Sequence, residues 1–196
     1  KKASAVLEKL IGDVPNLTLQ QLFENIIREA GVLSSVMLSN EKHWQWATQP
    51  NEREKASFLK ENILPIRESG QLKMIPAGES DSSKLSSAYF SDSLSIRFVN
   101  GHTEKMMLPQ VNYNGQTIVF VADLIPSVAH LPIPYIMAYD MFPLTSLNEK
   151  KSFLQEAASN DYLLFFQHDP VIECCSLQQT DKGVRSKENF KLSDIS

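Results

Sequence analysis

The sequence predicts an α/β fold, because helical and strand patterns alternate along its 196 residues. Some segments place apolar residues at the three- and four-residue spacing of an amphipathic helix. Others are short alternating or continuous apolar runs, as in strands. With 42% apolar and 21% charged residues, the chain can bury most of its surface in one core. We therefore expect a single domain over residues 1–196.

Four segments have the pattern of amphipathic helices. Each starts at a residue that can cap free backbone N–H groups, or ends at a glycine or proline that stops a helix. The predicted helices cover 17–30, 41–47 and 51–63, and a fourth opens with Ser146 and Glu149 and continues past Ala157. Each has a polar outer face.

Strand patterns lie between these helices. Short runs rich in β-branched and aromatic residues predict strands over 71–75, 94–99, 117–122 and 162–166. The serine-rich stretch 80–87 is typical of an exposed loop and is too short for a domain linker. The sequence has no internal repeat and no glycine-rich phosphate loop.

Charge and hydropathy argue against several classes of function. The formal charge is −4, and lysines and arginines are scattered among carboxylates, so nucleic acid is not an expected partner. No stretch approaches the roughly 20 apolar residues that span a bilayer. The start of the sequence has no signal-peptide core. We therefore expect a cytoplasmic protein with no membrane partner.

The two cysteines, Cys174 and Cys175, are adjacent. Neighbouring cysteines rarely meet disulfide geometry without a strained peptide. We expect reduced thiols that pack as small half-buried residues. A vicinal pair that binds a soft metal or acts in redox chemistry is the alternative.

Polar groups with metal-ligand chemistry follow three of the predicted strands. His102 comes after strand 94–99, Asp123 ends the apolar run 117–122, and His168 follows 162–166. An α/β framework brings strand ends to a common rim, and imidazole and carboxylate are the ligands of zinc-type sites. This pattern predicts a metal-dependent hydrolase.

Each of these residues also has an ordinary structural interpretation. His102 and His168 could be turn histidines, and Asp123 could cap a helix or form an Asx turn. His130 and Tyr139 lie on a proline-rich loop after Asp123. They could bind substrate, with the Tyr139 hydroxyl facing a developing oxyanion, or they could be a solvated histidine and a packing aromatic residue.

Several segments in order resemble the later motifs of hydrolases with the metallo-β-lactamase fold, and most closely the lactonase and organophosphate-hydrolase branch. Residues 40–55 are similar to a helical insert of that branch. The resemblance covers residues 34–196, and residues 1–33 match weakly. The motifs are Gly101-His102-Thr103-Glu104, Ala122-Asp123-Leu124-Ile125-Pro126, Tyr135-Ile136-Met137-Ala138-Tyr139-Asp140 and Phe166-Gln167-His168-Asp169-Pro170.

The resemblance implies a fold and an activity. The fold is an αββα sandwich, and the activity is hydrolysis of a small ester or lactone by hydroxide bound to two divalent ions, most simply zinc. It implies that His102 ligates the first ion, that Asp123 bridges both and is the catalytic carboxylate, and that His168 ligates the second. A small-molecule substrate and a homodimer are the expected partners.

The chain departs from the family in its first part. The family's earlier His-X-His-X-Asp-His motif is missing, since the four histidines are His43, His102, His130 and His168. The N-terminal sheet also looks incomplete. Either the chain is a shortened relative, or the sequence is joined near 33–34 across missing residues. The alternative function is a catalytically incompetent remnant that serves as a binding or dimerisation module.

Two single positions also depart from the family pattern. Ala122 stands where many relatives have glycine, which is a mild change if its φ is negative. Pro126 stands where the lactonases place a tyrosine that polarises the substrate carbonyl, so lactone specificity stays open. A phosphodiesterase or nuclease on the same scaffold is a weaker option, which the acidic balance disfavours.

Overall fold

The structure is a computed structural model, and it describes residues 37–77 and 93–195. The predicted helix 17–30, the proposed junction near 33–34 and the predicted loop 80–87 lie outside these residues. The expectation of a single domain over the whole chain therefore stays a prediction.

The described residues form three α-helices and eight strands, with three short 3-10 helices. The strands are β1 (Met37–Ser39), β2 (Leu72–Met74), β3 (Leu94–Val99), β4 (Met106–Tyr113), β5 (Gln116–Phe120), β6 (Leu163–Phe165), β7 (Cys174–Thr180) and β8 (Gly183–Phe190). The α-helices are α1 (Glu41–Thr48), α2 (Lys60–Glu68) and α3 (Pro143–Ser159). The 3-10 helices are Ala122–Leu124, Val128–His130 and Leu192–Asp194.

A six-stranded mixed sheet organises the larger part of the chain. Its order is β3-β4-β5-β6-β7-β8, and all neighbours are antiparallel except β5 and β6, which run parallel with Ile118 opposite Leu163. Parallel neighbours need a long crossover connection, and α3 lies within it. Consequently the ends of β5 and β6 point to the same edge of the sheet, where Asp123 and His168 follow them.

Turn chemistry explains the hairpin between β4 and β5. Asn114 and Gly115 have φ values of 50° and 79°, the left-handed pair that a tight two-residue turn requires and that Asn-Gly favours. Sequence reasoning did not predict β4, although Asn-Gly marks its end. Pro109 in the middle of this strand weakens the strand pattern.

The largest apolar cluster of this sheet lies on the face that packs against α3, where strand and helix residues are buried together. Leu108, Val119 and Leu164 of the sheet are fully buried. Phe153 and Leu154 of α3 have exposed fractions of only 2% and 1%. On the opposite face Val111 and Tyr113 are 40% and 48% exposed. Burial of this cluster packs α3 against the sheet. Side chains of α3 then contact the loops at the sheet edge.

The described residues fall into two compact units. The larger contains 39–51, 75–77 and 93–195, and the smaller contains 37–38 and 52–74. In the smaller unit, the Met37 N–H donates to the Gln71 carbonyl at the start of the short β1–β2 pairing. Helix α2 has no buried residue.

The predicted elements agree with the structure in type but differ in some bounds. Helix α1, strand β3 and the short strands at 72–74, 116–120 and 163–165 confirm the predictions. The predicted helix 51–63 is wrong: turns occupy 52–57, and α2 begins at Lys60 and continues through Pro65. Proline has no N–H, so it leaves one helix carbonyl without a partner. In an exposed helix that carbonyl can accept a hydrogen bond from water.

Helix α3 starts earlier than predicted. Pro143 occupies its first turn, where a missing N–H costs nothing, and Ser146 lies inside the helix with its N–H donated to the Phe142 carbonyl. Ser146 is therefore not the helix cap that the Ser-X-X-Glu pattern predicted. The Glu149 carboxylate instead binds the backbone of the loop that carries His102.

The fold class, α/β, is confirmed, with one large sheet among the described residues. Cys174 and Cys175 are both free and buried, as expected for reduced thiols. Burial is the main cause that raises their pKa values, to about 11 and about 12, so both thiols are unreactive near neutral pH. Within the described part of the chain, every helix is too short or too polar to cross a membrane.

Candidate metal centre

The structure brings the three predicted ligands together at the sheet edge. His102 Nε2 lies 3.5 Å from Asp123 Oδ2, and His168 Nε2 lies 3.2 Å from Asp123 Oδ1. The two imidazoles therefore face opposite oxygens of one carboxylate. Residues that are far apart in sequence converge here because β3, β5 and β6 end at the same edge.

The loop that carries His102 is packed tightly against the start of α3. A Cβ on Gly101 would lie 2.5 Å from Ser146 Cα and closer still to the Ser146 backbone nitrogen, so only glycine fits. The Glu149 carboxylate accepts hydrogen bonds from the Asn100 and Gly101 backbone N–H groups, at 2.7 and 3.0 Å. Helix α3 thus supplies both the close packing and the acceptors that hold this loop.

The His102 ring is oriented by a second carboxylate. Its Nδ1 lies 2.9 Å from Asp140 Oδ1, and the Asp140 side chain is only 3% exposed. An ionised carboxylate can only accept a hydrogen bond, so a neutral imidazole in this position carries its proton on Nδ1. The Nε2 lone pair then points toward Asp123. This is the arrangement that metal-ligating histidines have in proteins.

Asp123 lies in the 3-10 helix that follows β5. The residue before it, Ala122, has a φ of 40°, in the left-handed region that costs a residue with a Cβ about 1–2 kcal/mol. The condition under which alanine would be a mild change, a negative φ, is therefore not met. The Asp123 carboxylate lies between the two histidines at this strained turn. The 3-10 helices Ala122–Leu124 and Val128–His130 both lack a hydrogen bond from a capping side chain.

His168 is held less closely than His102. Its ring is 53% exposed, compared with 18% for His102, and its backbone N–H donates to the Pro126 carbonyl. The next residue, Asp169, accepts from the Val128, Val171 and Ile172 N–H groups at 2.8–3.0 Å. Burial alone would raise the pKa of Asp169, but these three hydrogen bonds lower it. Asp169 is thus a turn residue that holds the backbone of this loop.

The spacing of the three side chains suits metal ions between them. Ligands about 2.0–2.1 Å from a tetrahedral ion are roughly 3.3–3.4 Å apart, and the two nitrogen–oxygen distances are 3.5 and 3.2 Å. The donors also have the right chemistry, since each imidazole would share the Asp123 carboxylate with the other. The residues present therefore fit one side of a two-metal site.

The number of ligands is smaller than a complete site requires. Each ion would have one imidazole and one carboxylate oxygen from these side chains, whereas catalytic zinc usually has three protein ligands. Correspondingly, the described residues contain no group of three or more His, Cys, Asp and Glu side chains arranged around a single point. The three residues instead form two pairs, in which each histidine nitrogen faces one oxygen of the shared Asp123 carboxylate.

Comparison with known proteins identifies the fold. No family model and no curated protein sequence matches the chain. Among solved structures, a probable metal-dependent hydrolase from Staphylococcus aureus is similar over 79% of this chain and 53% of its own, with 18% identity and a TM-score of 0.59. The hydrolase AbOPH of the β-lactamase superfamily is similar over 80% of this chain and 56% of its own, with 16% identity and a TM-score of 0.62.

A third solved structure, the dizinc quorum-quenching lactonase AidC in complex with a product, covers 79% of this chain and 55% of its own, with 19% identity and a TM-score of 0.56. The fold is of the metallo-β-lactamase type. At identities this low the likeness concerns the fold alone, and the chain spans about half the length of these hydrolases.

The predicted substrate residues lie on the loop of the metallo-β-lactamase fold that follows Asp123. His130 ends a 3-10 helix, and its Nδ1 hydrogen-bonds the Ser127 hydroxyl at 2.8 Å. Burial, then the charge of Lys150, lowers its pKa, and Asp140 opposes this. Tyr139 is 78% exposed. Their substrate role stays a prediction.

Sequence reasoning missed the partners that orient the candidate ligands. It placed Asp140 on the loop without a partner for its carboxylate, and it interpreted Glu149 as part of a helix cap. Both act across a distance in sequence, since Asp140 and His102 are 38 residues apart and Glu149 and Gly101 are 48 apart. No spacing rule within one element could have found these contacts.

Proposed function

We propose that this chain contributes His102, Asp123 and His168 to a site for two divalent ions, most simply zinc, in a hydrolase that acts on a small ester or lactone. The observation that carries the proposal is the single Asp123 carboxylate flanked by two imidazole Nε2 atoms, at 3.5 and 3.2 Å. The structurally similar hydrolases, which include a dizinc lactonase, support a metal-dependent reaction.

The side chains have distinct roles in this proposal. His102 and His168 each offer one Nε2 atom, Asp123 offers one oxygen to each ion, and Asp140 keeps the His102 proton on Nδ1. When bound, the ions supply Lewis-acid activation of a carbonyl group and lower the pKa of bound water to about 7. Tyr139 and His130 are the proposed substrate contacts, through a hydroxyl and a neutral imidazole.

The low number of ligands favours a second candidate. With two donors for each ion from the described side chains, the chain could instead be a non-catalytic module that keeps the fold for binding or dimerisation. Homodimer formation and a cytoplasmic location stay predictions under both candidates.

Metal analysis separates the two candidates. Protein purified without chelator should contain close to two divalent ions per chain, and Asp123→Ala should lose both, because the carboxylate is shared. Asp181→Ala, at an exposed hairpin position, is the matched control and should keep its metal. Elemental analysis would then be followed by a screen of lactones, esters and phosphotriesters. Wild-type protein that binds no added zinc would support the module and rule out the hydrolase.

A further inference from the structure

Lys150 is a buried lysine that the proposed reaction does not use directly. It lies on α3, and its exposed fraction is 0%. Lysine is almost never fully buried unless its charge is compensated. Burial lowers the pKa of Lys150 to about 8, while the charge of Asp140 opposes this shift. An ammonium group in such a position needs a structural or functional explanation.

The hydrogen bonds of Lys150 supply that explanation. Its Nζ donates to three backbone carbonyl oxygens, those of His130, Pro132 and Tyr135, at 3.0, 3.0 and 2.7 Å. These contacts use all three N–H donors of an ammonium group. The carbonyls belong to an irregular loop with two prolines, which lack an N–H and cannot form a regular ladder. Lys150 thus supplies hydrogen-bond donors to loop carbonyls that regular secondary structure would otherwise satisfy.

The same loop ends at the His102 ligand. Asp140, whose carboxylate pairs with His102 Nδ1 at 2.9 Å, follows five residues after Tyr135. The Met141 N–H then donates to the His102 carbonyl at 3.2 Å. The path from Lys150 to the His102 ring therefore has a hydrogen bond at each end, joined by the short stretch of backbone from Tyr135 to Asp140.

We infer that Lys150 is a positioning residue: by binding three carbonyls of the 130–135 loop it holds Asp140 against His102 Nδ1 and so fixes the direction of that imidazole. The inference deepens the proposed function, since a fixed Nε2 atom matters for metal binding. It can nevertheless be tested on metal-free protein.

Three substitutions grade the interaction. Lys150→Met keeps the length and removes all donors, Lys150→Gln keeps two donors without charge, and Lys150→Arg keeps charge and donors. Lys151→Met is the matched control, because Lys151 is the next residue of α3 and is exposed. Asp140→Asn breaks the same path one step closer to the ring.

The first readout is the ¹⁵N NMR spectrum of the His102 ring in metal-free protein. Wild type and Lys151→Met should show one sharp Nδ1–H signal, because the Nδ1 proton is held in a hydrogen bond to Asp140. Lys150→Met and Asp140→Asn should show a weakened or broadened Nδ1–H signal, and Lys150→Arg should restore most of it. If Lys150→Met does not fold, Lys150→Gln carries the test. A wild-type His102 signal in a folded Lys150→Met or Lys150→Gln protein would overturn the inference.

The second readout is zinc affinity from competition with a chelating indicator. Asp140→Asn should bind zinc roughly 10–100-fold more weakly than wild type, the usual cost of losing the partner that orients a metal-ligating histidine. Lys150→Met should lose part of that affinity, and Lys151→Met should bind as wild type does. Equal affinity in Lys150→Met and wild type would contradict the inference. If wild type binds no zinc, the proposed function fails, while the NMR signal of the His102 Nδ1–H group still decides the role of Lys150.

Discussion

The two histidine loops of the candidate site are held in opposite ways. In the His102 loop, backbone N–H groups donate to the Glu149 carboxylate on α3, and the ring Nδ1 is hydrogen-bonded to Asp140. The His168 loop carries its own carboxylate, Asp169, which accepts three N–H groups from its surroundings. The ring exposures of 18% and 53% follow from this difference.

This difference suggests that the two halves of the site are prepared to different degrees. The His102 nitrogen is fixed in direction and protonation by buried contacts, whereas only the backbone of the His168 loop is fixed closely. Ordering a side chain costs conformational entropy that a pre-oriented ligand has already lost. In the proposed site, a first ion would therefore bind more readily at His102 and Asp123 than at His168.

The largest expected effect comes from Gly101→Ala on the His102 loop. The added Cβ meets backbone atoms of Ser146, so the loop or the start of α3 must move, at a cost of about 3 kcal/mol or more. Chemical denaturation measures the free energy of unfolding. Gly115→Ala is the control: its φ is 79° and nothing lies within 4 Å of the new Cβ, so it should show only the backbone strain, about 1–2 kcal/mol.

A second substitution distinguishes a backbone clash from a side-chain clash. Adding Ser146→Gly to Gly101→Ala removes the Ser146 side chain but leaves its backbone nitrogen and Cα in place, so stability should not recover. Full recovery would show that the His102 loop is not locked by the helix backbone, and the contrast between the two loops would be weaker.

An intermediate effect is expected for Asp169→Asn on the His168 loop. An amide has one acceptor oxygen, so at least one of the three N–H groups would face an NH₂ donor and stay unsatisfied. We expect a loss of about 1–3 kcal/mol in the free energy of unfolding. Because the His102 contacts are untouched, the NMR signals of the His102 ring should be unchanged. A shift of those signals as large as that in Asp140→Asn would show that the two loops are not independent.

The smallest expected effect is stabilisation by Ala122→Gly, between the two loops. Glycine relieves about 1–2 kcal/mol of left-handed strain and loses about 0.8 kcal/mol for one buried methyl group, so the melting temperature should rise slightly. The control is Ala157→Gly, which removes a buried methyl from helix α3 and should lower it. Equal destabilisation by both substitutions would contradict the strain at Ala122.

Much of the candidate site was predictable because its central residues follow strands. The runs before His102, Asp123 and His168 have strong strand patterns, and parallel β5 and β6 place the last two at one edge. Strands β4, β7 and β8 were missed because proline, serine and glutamine dilute their apolar alternation. Their pairings are set by neighbours in the sheet, which local patterns do not contain.

The positions of Asp140, Glu149 and Lys150 could not be predicted. A carboxylate on a loop and a lysine in a helix are ordinary surface residues by sequence, and no local spacing shows that α3 turns Lys150 inward toward three carbonyls. Ala122 shows the same limit, because the sign of its φ depends on the turn that the sheet edge imposes.

The sequence by itself determined the α/β class, the strands that end at the candidate ligands and the donor chemistry of those ligands, since all three depend on residue type and local periodicity. Only the tertiary structure decided which way the ligands face and what holds them. Those features depend on contacts between residues tens of positions apart, and packing of α3 onto the sheet is what brings them within hydrogen-bonding distance.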